Sequence, residues 1–375
     1  MKRISMAMVG LNFGRHVVDT MLTGAASKHV HLTTLCDRLP ERLDPMVAKT
    51  GLHSCRDLEE ILVDPAIEAI GVFTGPVGRA ELIRKCIRAG KHVMTTKPFE
   101  RDPEAARAVL LEAKKLGRVV HMNSPGAELS GDLRQIRAWQ EEFKLGRVVA
   151  CRRSVWASYR ETPDGTWYDD SAQCPVAPIF RLGIYAINDL VQLLGPAEKV
   201  NVMQSRLFTG RRTADNSQLG ILFKNGAIAN IYASFCINDG QFYRNSLTLN
   251  CENGTIFRNV GPRSPGAVQY AANMSVVAGN LFRPEHPVAA TAQFDDVSGD
   301  YQWGAFARAI HGEALREEVT IEQIVGGLQI IDAMARAEQS GATETVMDSA
   351  GTDGGGEKSV CGTVGVPRAR THEKT

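Results

Sequence analysis

The chain has 375 residues, which is long enough for two domains that each bury a core. Hydrophobic residues make up 43% and charged residues 23%, and the formal net charge is +1. This even balance argues against a nucleic-acid or anionic membrane surface, which needs a concentrated basic face, and no stretch has the roughly 20 apolar residues of a membrane-spanning helix.

Up to about residue 123, short apolar runs alternate with segments of helical periodicity. Strands are predicted over residues 3–9, 30–36, 67–73, 92–95 and 118–122, and helices over 15–22, from about 40, from 54–57 onward, over 81–89 and over 103–116. Repeated β-α-β units predict a mostly parallel sheet covered by helices on both faces. We therefore expect an α/β dinucleotide-binding (Rossmann) domain over residues 1–123.

After Ser124 the pattern changes. Helices are predicted over residues 131–143, 179–194, 301–311 and 320–339, and strands over 147–156, 199–208, 218–224, 227–235, 246–251 and 255–258. Asn225-Gly226 and Asn253-Gly254 lie between paired apolar runs, which is a strong hairpin signal. An α+β domain with an antiparallel sheet is expected over 124–345, and a disordered tail over 346–375.

The first βα turn contains a glycine that lets backbone amides approach a pyrophosphate at a helix N-terminus. It reads Gly10-Leu11-Asn12-Phe13-Gly14. The usual fingerprint is GxGxxG; here Asn12 replaces the second glycine, and the last glycine comes one residue early. The position of the turn, between the first strand and the first helix, supports cofactor binding.

Asp37 and Arg38 end the second strand, where an acidic residue reads the adenosine ribose. Asp37 would accept hydrogen bonds from the ribose hydroxyls and slightly favours NAD. The adjacent Arg38 could pair with a 2′-phosphate, so NADP stays open.

Two further features indicate candidate site residues. Thr96-Lys97-Pro98 places a lysine at the carboxyl end of a strand, where parallel sheets bind ligands. Arg181, Tyr185 and Asn188 have the spacing i, i+4 and i+7, so an ordinary helix would carry them on one face.

These motifs together resemble the glucose–fructose oxidoreductase/inositol dehydrogenase (Gfo/Idh/MocA) family over about residues 3–340. The most specific part is Ala89-Gly90-Lys91-His92-Val93 followed by Thr96-Lys97-Pro98. The resemblance implies a Rossmann domain and a C-terminal domain with an open, mostly antiparallel sheet that carries the substrate site and often an oligomer interface. It also implies hydride transfer between NAD(P) and a sugar, inositol or related polyol, with Lys97 beside the nicotinamide.

The resemblance extends the list of candidate site residues. Lys97 and Tyr185 are the expected catalytic pair. The expected cofactor contacts are Gly10, Asn12, Phe13, Gly14, Asp37, Arg38, Thr74, Gly75, Thr96 and Lys97, and the expected substrate contacts are Asn123, Trp167, Tyr168, Arg181 and Asn188.

The sequence departs from the family pattern at three places. Thr96 stands where the family usually has glutamate, and Arg79 stands where a histidine is usual. In the family's DxGxHxxD helix motif, Arg181, Tyr185 and Asn188 occupy the three polar positions. Arg181 in place of the aspartate suggests an anionic substrate or an altered proton relay.

The working hypothesis is reversible alcohol–ketone conversion of a sugar, polyol, inositol or sugar-acid-like substrate. Tyr185 would take the hydroxyl proton, with Lys97 lowering its pKa electrostatically. Two rivals stay open: a catalytically silent dinucleotide-binding regulator, and a reductase of a keto or unsaturated substrate.

The remaining expectations concern the cysteines, metal binding, cellular location and partners of the protein. Eight cysteines without a CxxC pair favour free thiols in a reducing cytosol, and nine histidines without ligand spacing predict no metal site. The N-terminus lacks the features of a signal peptide, so a cytoplasmic protein is expected. The partners expected are a carbohydrate-like small molecule and further copies of the chain through the C-terminal sheet, with no nucleic acid and no membrane.

Overall fold

A computed structural model describes residues 2–159, 161–240, 243–262, 270–281 and 288–348. Six parallel strands form a first sheet in the order β3-β2-β1-β4-β5-β6. They are β1 (Ile4–Val9), β2 (Val30–Cys36), β3 (His53–Cys55), β4 (Ala69–Val72), β5 (His92–Thr95) and β6 (Val120–Met122). Five helices connect them: α1 (Leu11–Leu22), α2 (Pro40–Thr50), α3 (Leu58–Val63), α4 (Arg79–Arg88) and α5 (Pro103–Lys115). The predicted parallel Rossmann sheet is confirmed.

The strand order of this sheet reverses between β1 and β4, since the chain moves outward to β3 and then returns to the other side of β1. Doubly wound sheets bind ligands at such a point, at the carboxyl ends of the strands. The turns that follow β1, β2, β4 and β5 all lie at this edge, which brings their residues to one cleft.

A second sheet has nine strands in the order β14-β13-β12-β11-β7-β10-β9-β8-β15. Its strands are β7 (Val148–Ala157), β8 (Ala197–Ser205), β9 (Asn216–Phe223), β10 (Ile228–Ser234), β11 (Tyr243–Cys251), β12 (Gly254–Pro262), β13 (Tyr270–Ala278), β14 (Ala290–Phe294) and β15 (Glu344–Thr345). All neighbouring pairs are antiparallel except β7 and β10. The mostly antiparallel second sheet is therefore also confirmed.

Helices pack on one face of this second sheet. They are α6 (Gly131–Glu142), α7 (Ile184–Leu194) and α9 (Ile321–Ser340), and their apolar side chains share one core with the inward residues of the strands. The remaining helix, α8 (Trp303–Ile310), returns to the first sheet, where Trp303 and Phe306 pack in the core that contains Met6 and Met8. The segment before α8 therefore meets the first domain, where the Tyr301 ring packs against Phe73 and the Gly299 carbonyl accepts from Asn123.

Several elements differ from the prediction. The first helix begins at Leu11 rather than Arg15, because the chain turns at Gly10 directly after the strand. Ser54 lies in β3, and Asp57 alone caps α3 by accepting from the Glu59 amide. Strands β3, β13, β14 and β15 were not predicted.

The first residues of the predicted tail, 346–348, belong to the described part of the chain. Residues 349–375 of the predicted tail lie outside the described residues. Val346, at the start of that predicted tail, is buried and its amide donates to the Glu198 carbonyl. Within the described residues, no helix has both the length and the apolar character needed to cross a membrane.

Candidate active site

The turn after β1 requires glycine at position 10. Gly10 has φ +89°, and a Cβ placed on it would lie 2.9 Å from the carbonyl carbon of Phe73. Gly14 has the packing role of the third glycine, because a Cβ there would lie 3.1 Å from the Met8 sulfur. The irregular spacing of this motif thus still produces the tight turn and the close helix–strand contact.

Asp37 joins the end of β2 to this turn. Its Oδ2 accepts from the Leu11 amide at 2.7 Å and its Oδ1 accepts from the Leu39 amide at 3.0 Å. The carboxylate is buried at the N-terminus of α1, where the helix dipole favours negative charge. Asp37 therefore shapes the cofactor turn in addition to any contact with a ribose.

A cleft of about 770 Å³ runs along the carboxyl edge of the first sheet. At one end lie Arg38, Arg42 and Arg56, and at the other lie Lys97 and Trp167. Nine of the predicted cofactor residues line it: Gly10, Asn12, Phe13, Asp37, Arg38, Thr74, Gly75, Thr96 and Lys97. The glycine turn at a helix N-terminus and the length of the cleft fit an extended dinucleotide.

Arg42 and Arg56 were missed by the sequence analysis. Arg56 directly follows β3 and Arg42 lies in the first turn of α2, next to β2. No ion pair with a described residue neutralises Arg38, Arg42 or Arg56. A signal was available for Arg56 alone, since it follows a strand that neighbours β2 in a parallel sheet.

Arg79 braces the turn that holds Lys97. Its guanidinium donates to the carbonyls of Thr96, at 2.6 Å, and of Pro98 and Thr74. The side chain is 2% exposed, and burial lowers its pKa to about 10. The arginine at the family's histidine position therefore connects the turns after β4 and β5.

Lys97 lies at the inner end of the cleft with its ammonium group among protein atoms. Nζ donates to the Arg181 carbonyl at 2.5 Å and lies 4.6 Å from the centre of the Tyr185 ring. Burial lowers the pKa of Lys97 to about 7, and the charges of Arg181 and Arg79 act in the same direction. Both protonation states of Lys97 are therefore populated near neutral pH.

The pKa of Tyr185 is shifted in the opposite direction from that of Lys97. Its hydroxyl accepts from Asn123 Nδ2 at 3.2 Å, and the same amide group also donates to the Gly299 carbonyl at 3.1 Å. Burial raises the pKa of Tyr185 well above its usual range. Lys97 lies over the ring and is bonded to a carbonyl, so the expected lowering of the tyrosine pKa does not occur.

Asn123 links these two groups. Besides its contact with Tyr185, its Oδ1 accepts from the Lys97 amide at 3.1 Å and from the Thr96 hydroxyl at 3.3 Å. Thr96, which stands at the family's glutamate position, therefore helps to fix Asn123. Asn123 was predicted as a substrate contact, and none of these hydrogen bonds was predicted.

Of the three polar residues around α7, Tyr185 and Asn188 reach adjacent residues of the first domain, whereas Arg181 points elsewhere. Residues Ile179–Gly183 form a π-helical turn, which inserts an extra residue before α7. Arg181 reaches Glu161, Tyr185 reaches Asn123, and Asn188, which is buried, donates to the Ser124 hydroxyl at 3.0 Å. Asn188 thus lies between α7 and the end of β6, and, like Tyr185 and Asn123, it is not among the residues that line the cleft.

The loop after β7 covers the inner end of the cleft. Trp167 lies against Gly75, since a Cβ placed on that glycine would be 3.6 Å from Trp167 Cδ1. The ring of Tyr168 lies 3.9 Å from the Arg181 guanidinium carbon. Both aromatic residues predicted as sugar contacts therefore line the cleft, one beside the turn after β4 and one on Arg181.

The sequence and the fold of this chain are similar to those of known proteins. A model of the oxidoreductase family with an NAD-binding Rossmann fold, Gfo/Idh/MocA, matches residues 4–124, and a model of the GFO/IDH/MocA C-terminal domain matches residues 133–257. The chain belongs to the Gfo/Idh/MocA family. Its first sheet and helices are accordingly an NAD(P)-binding Rossmann fold.

The individual relatives have low sequence identity to this chain. A 1,5-anhydro-D-fructose reductase from Ensifer adhaerens is 26% identical over 56% of this chain, and the match spans 63% of the reductase, less than two thirds of its length. D-xylose 1-dehydrogenase (NADP(+)) 2 from Haloferax volcanii is 25% identical over 84% of this chain and 92% of its own length. The aldose-aldose oxidoreductase from Caulobacter crescentus, solved with glycerol, has a TM-score of 0.68 at 19% identity, covering 92% of this chain and 100% of that one. The last likeness concerns the fold.

Proposed function

We propose that this protein is an NAD(P)-dependent oxidoreductase that moves a hydride between the nicotinamide and a carbinol carbon of a sugar, polyol or inositol. The observation that carries the proposal is Lys97, a lysine with a pKa of about 7 at the inner end of a dinucleotide-sized cleft. A poised acid–base group beside the expected position of a nicotinamide is what alcohol–ketone conversion needs. The names of the relatives, a sugar dehydrogenase and an anhydrosugar reductase, support the same class.

In the proposed mechanism, the turns after β1, β2, β4 and β5 would hold the dinucleotide, which would supply the hydride acceptor or donor when bound. Neutral Lys97 takes the proton of the reacting hydroxyl during oxidation, and charged Lys97 returns it during reduction. Tyr185 stays protonated, and its hydroxyl donates a hydrogen bond that orients the reacting oxygen. We assign the proton transfer to Lys97 and the orientation of the substrate to Tyr185, because burial lowers the pKa of Lys97 and raises that of Tyr185.

The silent-regulator alternative depended on Thr96 and Arg181 having disrupted the site. Thr96 instead supports Asn123, and the Arg181 side chain is turned towards Glu161. The Arg181 backbone carbonyl still receives Lys97. These contacts favour an assembled catalytic site over a degenerate one.

We also propose that NADP is the preferred cofactor, although Asp37 on sequence grounds slightly favoured NAD. The proposal is supported by Arg38, Arg42 and Arg56, three arginines at the adenosine end without a described acidic partner. A 2′-phosphate would supply the negative charge that these guanidinium groups lack. Asp37 still lies close by, but its oxygens already accept two backbone amides.

Self-association through the second sheet remains a proposal as well. Ile228 on β10 and Phe257 on β12 are 61% and 38% exposed on its helix-free face. Burying such side chains against a second copy would remove apolar surface from water. Light scattering of the purified protein, compared with an Ile228→Lys variant, tests this assembly.

A direct assay tests the proposed function. The protein is incubated with NADP or NAD and a panel of sugars, polyols and inositols, and formation of the reduced nicotinamide is followed by its absorbance. We expect turnover of at least one neutral carbohydrate, with NADP ahead of NAD. Cofactor binding without turnover of any substrate in either direction would favour the regulator.

A further inference from the structure

Arg181 is enclosed by groups of this chain. Its two terminal nitrogens donate to the two oxygens of Glu161, each at 2.6 Å. Three aromatic rings surround its guanidinium carbon, with ring centres at 3.9 Å for Tyr168, 4.7 Å for Phe235 and 5.3 Å for Tyr159. Arg181 is 8% exposed, so its charge is paired and covered even though its side chain lines the cleft.

A second arginine belongs to the same cluster. Arg211 is paired with Asp169, lies 3.3 Å from an oxygen of Asp164 and lies 3.6 Å from an oxygen of Glu161. The cluster therefore contains two guanidinium groups and three carboxylates. Among the described residues of this cluster, each guanidinium group has a carboxylate partner, so neither leaves an unpaired positive charge for an anion.

The position of Arg181 gives this pairing a consequence for substrate choice. Its backbone carbonyl accepts from the Lys97 ammonium group, so the residue directly borders the proposed reaction centre. An arginine there would be expected to bind a substrate carboxylate with both nitrogens. Glu161 already makes that bidentate contact.

We propose that Glu161 determines the charge class of the substrate: its carboxylate occupies Arg181 in place of a substrate carboxylate, so the site takes uncharged sugars or polyols and discriminates against sugar acids. This inference rests on the proposed function. It reverses the expectation that Arg181 indicates an anionic substrate. Binding a sugar acid at Arg181 would require Glu161 to leave a largely buried pair, which leaves its own charge without a partner.

The test begins with the intact protein saturated with NADP. Its thermal midpoint is measured against increasing concentrations of D-glucose and D-glucuronate, and of D-galactose and D-galacturonate. Each pair differs by a carboxylate in place of a hydroxymethyl group. We expect the neutral sugars to stabilise the wild-type complex at lower concentration than the acids. An acid that binds the wild type as well as its neutral partner would overturn the inference, and this arm does not depend on any variant folding.

The second arm uses Glu161→Gln, which keeps the shape of the side chain and removes its charge. The ratio of acid to neutral binding should rise by about tenfold, because Arg181 then lacks a charged partner. Replacing Arg181 by Gln in the same background should abolish that gain.

The matched control is Asp164→Asn, which removes one negative charge from the same cluster but next to Arg211 rather than Arg181. Its acid-to-neutral ratio should equal that of the wild type. An equal rise in both single variants, or no rise in Glu161→Gln, contradicts the assignment to Glu161. Failure of the proposed function has a different signature, the absence of hydride transfer in every variant, since the binding readout does not require turnover.

Discussion

The two ends of the cleft use charged side chains in opposite ways. At the adenosine end Arg38 and Arg56 are exposed and have no described acidic partner. At the inner end Arg79 and Arg181 are buried, and they donate to carbonyls and to Glu161 respectively. Exposed unpaired cations are available to a ligand phosphate, whereas buried paired cations position other groups and shift their pKa values.

The comparison implies that equal changes of charge have different consequences at the two ends. Removing an arginine at the open end should weaken one ligand and leave the fold unchanged. Removing a cation at the inner end should affect chemistry or stability. Four experiments test this contrast.

The largest effect is expected for Lys97→Met. Loss of the proton carrier should lower kcat/KM by roughly 10²- to 10⁴-fold, the usual range for general acid–base groups. NADPH binding, followed by fluorescence titration, should survive because the adenosine end is untouched. Unchanged turnover would remove Lys97 from the mechanism.

Arg79→Met should chiefly destabilise the protein. The carbonyls of Thr74, Thr96 and Pro98 would lose their buried donor, which costs about 3 kcal/mol of unfolding free energy. Denaturant unfolding measures the loss. The control is Arg88→Met on the same helix, where a 64% exposed side chain pairs with Glu112 and about 0.5 kcal/mol or less is expected. Similar losses in the two variants would contradict the bracing role.

At the open end, Arg56→Ala should raise the KM for NADP by about tenfold and leave the KM for NAD nearly unchanged, because only NADP carries the 2′-phosphate. Steady-state kinetics with both cofactors measures the difference. A matched control is Arg15→Ala, an arginine on α1 that does not line the cleft. Parallel changes for NAD and NADP would place Arg56 outside the phosphate contact.

The smallest effect concerns pH. Lys97 must be neutral to accept a proton, so kcat/KM for alcohol oxidation should rise about threefold from roughly pH 6.5 to 7.5, as follows from a pKa of about 7. Ketone reduction needs the charged form and should fall over the same interval. Arg181, Arg79 and Cys174 are the charged or titratable groups that act on Lys97. A transition only above about pH 9, in both directions, would instead indicate Tyr185.

Only some of the site residues could be predicted from local sequence patterns. Gly10, Asp37 and Lys97 could be identified because each follows a strand at the edge where parallel sheets bind ligands. Arg79 could be recognised as a departure from the family but not as a brace, since its carbonyl partners are 5 to 19 residues away in the chain. Glu161 carried no signal, because a carboxylate in a polar loop has no periodicity that indicates its partner.

The fold likewise has elements that local sequence patterns predict and elements that they do not. Alternating apolar runs and helical segments were enough to predict the Rossmann sheet, and Asn-Gly turns were enough for two hairpins of the second sheet. Strands β3, β13, β14 and β15 were missed, and the π-helical turn at Ile179–Gly183 changed which way Arg181 points. The return of Trp303 and Phe306 to the first core was also not predictable, since burial there depends on a surface built from residues some 300 positions earlier.

The sequence by itself determined the order of the elements, the cofactor turn and the lysine that ends β5, because these depend on local periodicity and on which residues tolerate a tight turn. Only the tertiary structure decided the charge state of the inner cleft. Burial sets the pKa of Lys97 and of Tyr185, and Glu161 cancels the charge of Arg181. Desolvation and ion pairing depend on distances between residues that are remote in the chain, and those distances exist only once the protein has folded.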